Sequence, residues 1–268
     1  MELNNESKTL FIPLYGKAIS SKNKQFLNDP KAEEIIERIN YDFNTLKQSK
    51  WLSMFMSLRA SLIDELCSKY IENNPNLTII HLGCGLDSRC LRVNQKYNKW
   101  YDIDYENVID IRKQFYNDTN TYKMISSSVN DYQWIEKIKD PENVLVILEG
   151  LIMYLSEKEV KELIIQINKR FNKVRFIFDS YTKKGVKLSK IKNPVNQMNA
   201  KIKYGINSAN DFLTLNPNLE YVSTHLIRKE KNSLSGLTKM IFKKLYCGKI
   251  SQSLYKIYEF NLKKDFLC

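Results

Sequence analysis

Leu77-Thr78-Ile79-Ile80-His81-Leu82 is an apolar run that stops at Gly83-Cys84-Gly85 and passes into Leu86-Asp87-Ser88-Arg89. A run this short, closed by glycines, reads as a strand buried on both faces, with a helix from about Leu86. Strand, Gly-x-Gly turn and helix is how a parallel sheet meets a ligand. The glycines let backbone approach it, and free N–H groups stand at the helix start. Such turns also use glycine for steric reasons alone, so the rest of the chain has to supply the meaning.

The alternation continues downstream. Trp100–Asp104 is a strand ending in acid, Val108–Phe115 a helix, Tyr122–Ile125 a strand and Trp134–Ile138 a helical patch. Asn143–Leu148 is the clearest buried strand. Ser156 and Glu159 then form a capping box, with Val160, Leu163, Ile164 and Ile167 on the inner face of the helix it opens. Val174–Phe178 is another strand, with Asp179 at its end. This spacing predicts βαβ crossovers and a mostly parallel sheet with helices on both faces.

Upstream, residues 1–25 form an arm with an apolar knot at Leu10–Tyr15. Asp29-Pro30 opens a helix, and Trp51–Tyr70 is a longer one with Arg59 set in its apolar stretch. Residues 180–217 break the rhythm, with helix expected around Gln197–Tyr204, and read as a cap over the strand ends. Leu219–Ile227 and Ser253–Leu262 return to strand patterning, as an antiparallel edge around a basic helix at Ser235–Leu245. The expectation is one domain: a helical extension (1–75), a core (76–180), the cap (181–217) and C-terminal strands with the basic helix (218–268).

Charge is segregated. Residues 1–182 carry 25 basic and 25 acidic side chains, and residues 183–268 carry 17 and 5, so the whole excess of +12 lies in the last third. That pattern suits an anionic small molecule or an acidic protein partner such as a carrier protein, unless lysine-rich composition alone explains it. Nucleic acid is disfavoured, because the basic residues are not interleaved with aromatics as a stacking platform needs. No apolar run reaches the ~20 residues of a membrane span, and no secretory signal is visible, so a cytoplasmic chain without membrane contact is expected. Five cysteines without a Cys-x-x-Cys pair, and only two histidines, give no reason to expect a metal.

In an open α/β sheet, ligands bind outside the carboxyl ends of the strands. The candidates are therefore Gly83–Arg89, Asp102 and Asp104, Ser127–Val129, Glu149–Tyr154 and Asp179–Tyr181. Asp104 lies about 20 residues beyond the glycines, where an acid holds a ribose. A dinucleotide fits poorly: the third glycine is missing, and Asp87 would repel a pyrophosphate but could meet an amino group. A ligand with adenosine, a cationic centre and an amino-acid end fits better, which is S-adenosylmethionine.

Three segments follow in order: His81 to Arg89, Trp100 to Asp104, and Glu149-Gly150-Leu151-Ile152-Met153-Tyr154-Leu155. Together they resemble successive motifs of the leucine carboxyl methyltransferase family, whose bacterial branch includes the tetracenomycin polyketide O-methyltransferases. The likeness runs from Tyr15-Gly16-Lys17-Ala18 to about Asp179. It implies a class I methyltransferase fold: a Rossmann-like mixed seven-stranded sheet whose last strand is antiparallel, with N-terminal helices and a cap. It also implies Arg59 at the methionine carboxylate, Gly83 and Gly85 under the cofactor, Asp104 on the ribose, Ser128 and Val129 beside the adenine, Glu149 near the amino group and Tyr154 shaping the pocket. Ser128 stands where many relatives carry Asp, and Asp102 where Glu is usual.

The activity this implies is methyl transfer from S-adenosylmethionine to an oxygen of a small molecule such as a polyketide-like metabolite. A carboxylate acceptor is already ionised near neutral pH and needs no base. Tyr154, Tyr181, Lys201 and Tyr204 are the candidates for positioning it. The alternative is a cofactor-binding protein without transfer activity that engages an acidic partner through its basic third.

Overall fold

The computed structural model describes residues 7–93, 96–139, 141–189, 200–227, 234 and 236–264. Seven strands form one sheet: β1 (Leu77–Leu82), β2 (Lys99–Asp104), β3 (Tyr122–Ser126), β4 (Asn143–Leu148), β5 (Lys173–Tyr181), β6 (Leu219–His225) and β7 (Tyr255–Lys263). Their spatial order is β3-β2-β1-β4-β5-β7-β6. Pairing is parallel from β3 to β5, while β7 runs antiparallel to both β5 and β6. Of the two late strands only β7 is reversed, so the sheet is the class I methyltransferase sheet expected from the sequence. Order reverses between β1 and β4, and that switch point is where a crevice opens above an α/β sheet.

Successive side chains of a strand point to opposite faces, and both faces are covered. Leu77, Ile79, Leu145 and Ile147 pack under the N-terminal helices α1 (Phe11–Lys22), α2 (Pro30–Arg38) and α3 (Lys50–Glu72). That double burial is why β1 and β4 are continuous apolar runs. Ile80, Leu82, Val146 and Leu148 face the opposite layer, built by Trp134 and by Val160, Leu163, Ile164 and Ile167.

The helix expected from Leu86 is only a turn, α4 (Arg89–Arg92). Asp87 accepts the N–H of Arg89 (2.7 Å), and Arg89 and Arg92 turn inward to buried carboxylates instead of continuing a surface helix. The remaining core helices are α5 (Glu106–Arg112), α6 (Gln133–Glu136) and α7 (Glu157–Arg170). In the C-terminal part lie α8 (Lys183–Ser189), α9 (Ala209–Leu213), α10 (Gly236–Tyr246) and α11 (Lys249–Gln252). The helix expected around Gln197–Tyr204 falls partly outside the described residues, and from Ala200 to Tyr204 the chain has no regular structure. Strand β5 runs on to Tyr181, so Asp179 lies within it, opposite Ile257 of β7.

The capping box is present as expected: Glu159 N–H donates to Ser156 Oγ (3.3 Å), and Ser156 N–H to the Glu159 carboxylate (2.6 Å). Because an N-cap hydroxyl satisfies an otherwise orphaned amide, Ser156→Ala should cost about 1 kcal/mol in urea unfolding. An unchanged midpoint would show that water replaces the cap.

Candidate active site

The glycine turn after β1 is held by β2. Gly83 N–H donates to the carbonyl of Ile103 (2.8 Å), and Gly85 N–H to Asp104 Oδ2 (2.8 Å). Gly83 and Gly85 have φ of +63° and +52°, and a Cβ at Gly83 would stand 3.0 Å from Leu151 Cδ1. Both positions therefore need glycine. The other oxygen of Asp104 takes the Tyr105 N–H (2.8 Å). Burial raises the Asp104 pKa, with those two amides opposing the shift.

Below the turn, charge is buried in a connected network. Asp102, without solvent exposure, accepts from Trp100 Nε1 (2.8 Å), the Tyr122 hydroxyl (2.6 Å) and Arg112. His81 Nδ1 faces the same carboxylate at 3.2 Å. Asp87 meets Lys17 Nζ at 2.5 Å and Arg92 at 2.9 Å. Burial disfavours the charge on Asp87, yet Arg92, Lys17 and Arg89 hold its pKa well below the ordinary carboxylate value.

Glu149, one residue past β4, sits between two arginines. Arg59 of α3 reaches it with Nε (3.0 Å) and Nη2 (2.8 Å), and Arg89 reaches its other oxygen. Burial opposes the charge, but Arg89 and Arg59 bring the Glu149 pKa down to about 2. Arg59 Nη1 donates to Asp179 (3.2 Å) and to the Tyr255 hydroxyl (3.1 Å), and Tyr255 in turn donates to Asp179. Asp179 also accepts the Gly150 N–H (2.6 Å). Burial pushes its pKa up to about 6, with Arg59 opposing and Glu149 adding to the shift.

Above this network lies a cavity of about 470 Å³. It brings together Arg59, Gly83, Gly85, Asp87, Asp104, Val129, Glu149, Tyr154 and Tyr181 of the residues proposed from sequence. Ser128 is not in its wall, although Ser127 and Asn130 are; its hydroxyl accepts the Asn130 N–H (3.3 Å). Lys201 is exposed and Tyr204 is buried in the core layer against α7 and α9, and neither lines the cavity. Lys203, between them, does.

Several lining residues escape the sequence reading. Lys17 is almost fully buried in α1 and lines the cavity beside Asp87. A lysine inside the apolar run from Phe11 to Ala18 is the signal that could have found it. Leu10, Ile12, Pro13 and Leu14 bring the N-terminal arm into the wall, and Leu245, Tyr246, Ile250 and Leu254 bring in the C-terminal insert.

The cavity lining is of two chemical kinds, which meet where Arg59 Nη1 donates to the Tyr255 hydroxyl. One is polar, around Lys17, Arg59, Asp87, Asp104 and Glu149. The other is apolar and aromatic, where Phe55 packs against Tyr246 (5.1 Å) and Tyr255 (5.4 Å), and Tyr181 against Tyr255 (4.9 Å). Counting histidine as neutral, the lining cations Lys17, Arg59 and Lys203 face Asp87, Asp104, Glu149 and Glu159, one more negative charge than positive. That surplus, beside a glycine turn and a carboxylate on the β2 end, fits a ligand with adenosine and a net positive charge. S-adenosylmethionine, a sulfonium with an ammonium and a carboxylate, has that make-up.

This sheet order with this cavity defines a class I S-adenosylmethionine-dependent methyltransferase. The same fold is found in magnesium protoporphyrin IX methyltransferase from Synechocystis with bound S-adenosylhomocysteine, at TM-score 0.53 and 12% identity over 86% of this chain and 94% of that one. An S-adenosylmethionine-dependent methyltransferase from Anabaena variabilis gives TM-score 0.54 and 11% identity over 84% and 96%. The leucine carboxyl methyltransferase profile matches residues 10–168, more than half of the chain, which therefore belongs to that family. Among its relatives, the tetracenomycin polyketide synthesis O-methyltransferase TcmP of Streptomyces glaucescens is 26% identical, over 82% of this chain and 83% of its own length. The S-adenosyl-L-methionine-dependent methyltransferase dpfgK of Gibberella zeae is 31% identical over 63% and 62%.

Glu149→Gln tests the network independently of any ligand. A carboxylate whose pKa falls from 4.5 to about 2 on folding stabilises the fold fully above pH 4.5 and progressively less as pH drops toward 2. The variant should lose about 3 kcal/mol in urea unfolding at pH 7, and the gap to the parent should narrow between pH 4.5 and 3. A gap independent of pH would mean that the charge of Glu149 contributes nothing.

Proposed function

We propose that this enzyme transfers the methyl group of S-adenosylmethionine to an oxygen, a carboxylate in particular, of a small molecule with an apolar body. The observation that carries this reading is the division of the cavity into a charged half and an aromatic half. The relatives TcmP and dpfgK, named as an O-methyltransferase and an S-adenosylmethionine-dependent methyltransferase, point the same way.

In the charged half, Asp104 would accept the ribose hydroxyls, with both oxygens already oriented by backbone amides. Gly83 and Gly85 would let the ligand lie against the turn, and Val129, with Ser128 behind it, would border the adenine. The amino group would meet Glu149 and the carboxylate Lys17 and Arg59, an arginine fork being suited to a carboxylate. Arg59 is already engaged by Glu149, Asp179 and Tyr255, whereas among the described residues Lys17 is paired with one carboxylate, Asp87. Lys17 is therefore the readier donor. Asp87 is occupied by Lys17, Arg92 and the Arg89 amide, and its work is to orient them.

When bound, S-adenosylmethionine supplies a methyl on a positive sulfur that leaves as a neutral thioether. The protein's part is alignment and exclusion of water. Phe55, Tyr246, Tyr255 and Leu254 would hold the body of the acceptor. Among the described residues lining that half there is no histidine or carboxylate; Asp179, behind Tyr255, has no solvent exposure. A carboxylate acceptor needs no base, being ionised at neutral pH. Tyr154 and Tyr181 remain the candidates for positioning it, while Lys201 and Tyr204, which do not line the cavity, are not part of this proposal.

Two measurements test the reading. Asp104→Ala should weaken S-adenosylhomocysteine binding in calorimetry by about tenfold or more, the worth of a hydrogen bond to a charged group; unchanged affinity would remove Asp104 from the ribose. Incubation with methyl-labelled cofactor and matched aryl acids, aliphatic acids and phenols should give base-labile methyl esters of apolar acids. Label found only in phenol ethers would overturn the carboxylate assignment.

A further inference from the structure

Residues 231–258 contain six lysines, no arginine and no acidic residue. Within this segment α10 is anchored by Phe242, which is fully buried and packs on Phe26 (5.4 Å) and Tyr246 (5.3 Å). The outer side is apolar as well. Leu237 is 66% exposed, Met240 63%, Leu245 51% and, on α11, Ile250 76%. Exposed lysines surround them: Lys239, Lys243, Lys244 and Lys249. Exposed aliphatic side chains gathered on one short insert mark a surface that something covers.

The position of the patch matters as much as its composition. Leu245 and Ile250 are at least half exposed and also line the cavity, together with Tyr246, Ser251 and Leu254. Side chains that are both wall and surface mean that the cavity opens at this insert.

We propose that the α10–α11 segment is an interfacial docking surface for an anionic lipid layer, with Leu237, Met240 and Ile250 entering the acyl boundary and the lysines among the headgroups. A basic helix with protruding aliphatic side chains lies in such an interface, its lysines keeping their charges at the polar level while their stems cover apolar surface. Protein interfaces, by contrast, are enriched in arginine and aromatic residues and depleted in lysine. This insert has lysine only, and its exposed apolar side chains are aliphatic. The basic C-terminal third thus points to an anionic bilayer rather than to the acidic protein expected from charge alone. Contact is peripheral, since among the described residues no helix is long and apolar enough to cross a membrane. If the acceptor reading above holds, an apolar acid would enter the cavity from that layer; lipid docking itself does not depend on it.

The test is co-sedimentation of the whole chain with phosphatidylcholine vesicles, with and without about 30% phosphatidylglycerol, at about 0.05 and 0.5 M NaCl. The expected result is binding to the anionic vesicles only, weakened by salt. Affinity should fall about tenfold or more in Lys239→Glu/Lys243→Glu/Lys244→Glu, each lysine near the surface contributing, and clearly in Leu237→Ser/Met240→Ser. S-adenosylhomocysteine binding by both variants should match the parent, which shows that they are folded. No binding to anionic vesicles at low salt overturns the proposal. So does equal binding by the lysine variant, or tight binding of a purified acidic carrier protein without any vesicle binding. Failure of methyl transfer to every acid, with vesicle binding intact, would count against the acceptor reading alone.

Discussion

Glu149 is the interaction point on which the upper half of this molecule depends. Its carboxylate joins an arginine from the third helix to an arginine from the turn after the first strand, at the carboxyl end of the fourth. Three chain segments distant in sequence are thereby fixed around one group at the wall of the cavity, its side chain 4% exposed. A buried ion pair adds little net stability over an apolar replacement, because desolvation consumes most of the Coulomb gain. Removal of one partner is a different matter, since it strands the other charges. The network therefore acts as a register device. It admits one arrangement of the N-terminal helices on the sheet and opposes others that a purely apolar contact would tolerate.

That rigidity sets the electrostatics offered to a ligand. Most buried charges below the glycine turn already have partners, so the cavity presents oriented groups rather than flexible ones, and little reorganisation is left for the moment of binding. Arg59 is the point of tension. Glu149, Asp179 and Tyr255 share its guanidinium, and Asp179 is held near neutrality in its pKa, at about 6, by burial and by the neighbouring glutamate. A ligand carboxylate arriving there competes with partners already in place. Among the described residues Lys17 is paired with one carboxylate, Asp87.

Local physics decided which parts of this were legible in the sequence. Strands β1 and β4 are covered on both faces, so they read as unbroken apolar runs with the correct ends. The capping box announced α7, and the glycine turn with Asp104 announced one wall of the cavity, because each is a short-range pattern with one dominant geometry. The network was not legible. Arg59 meets Asp179 across 120 residues and Tyr255 across 196, and no periodicity in the chain records such a meeting. Lys201 and Tyr204 lie in a stretch without regular backbone structure, where one residue of displacement turns a side chain from the cavity toward solvent or core. Lys203 lies in the wall between them.

The two halves of the cavity also constrain each other. A ligand with net positive charge is matched by a lining with one surplus negative charge, which by itself would repel an anionic acceptor. Attraction of such an acceptor must come from the bound cation and from charge beyond the polar half. Leu245 and Ile250 of α10 and α11 lie where the cavity meets solvent, next in sequence to the exposed Lys244 and Lys249. Under the proposed function, an acid with an apolar body would enter there with its carboxylate drawn toward the positive sulfur. In a low-dielectric passage the pull is stronger than it would be in water. If the proposed acceptor is an acid, this arrangement favours cofactor first and acceptor second, because the lining without the cation carries the surplus negative charge.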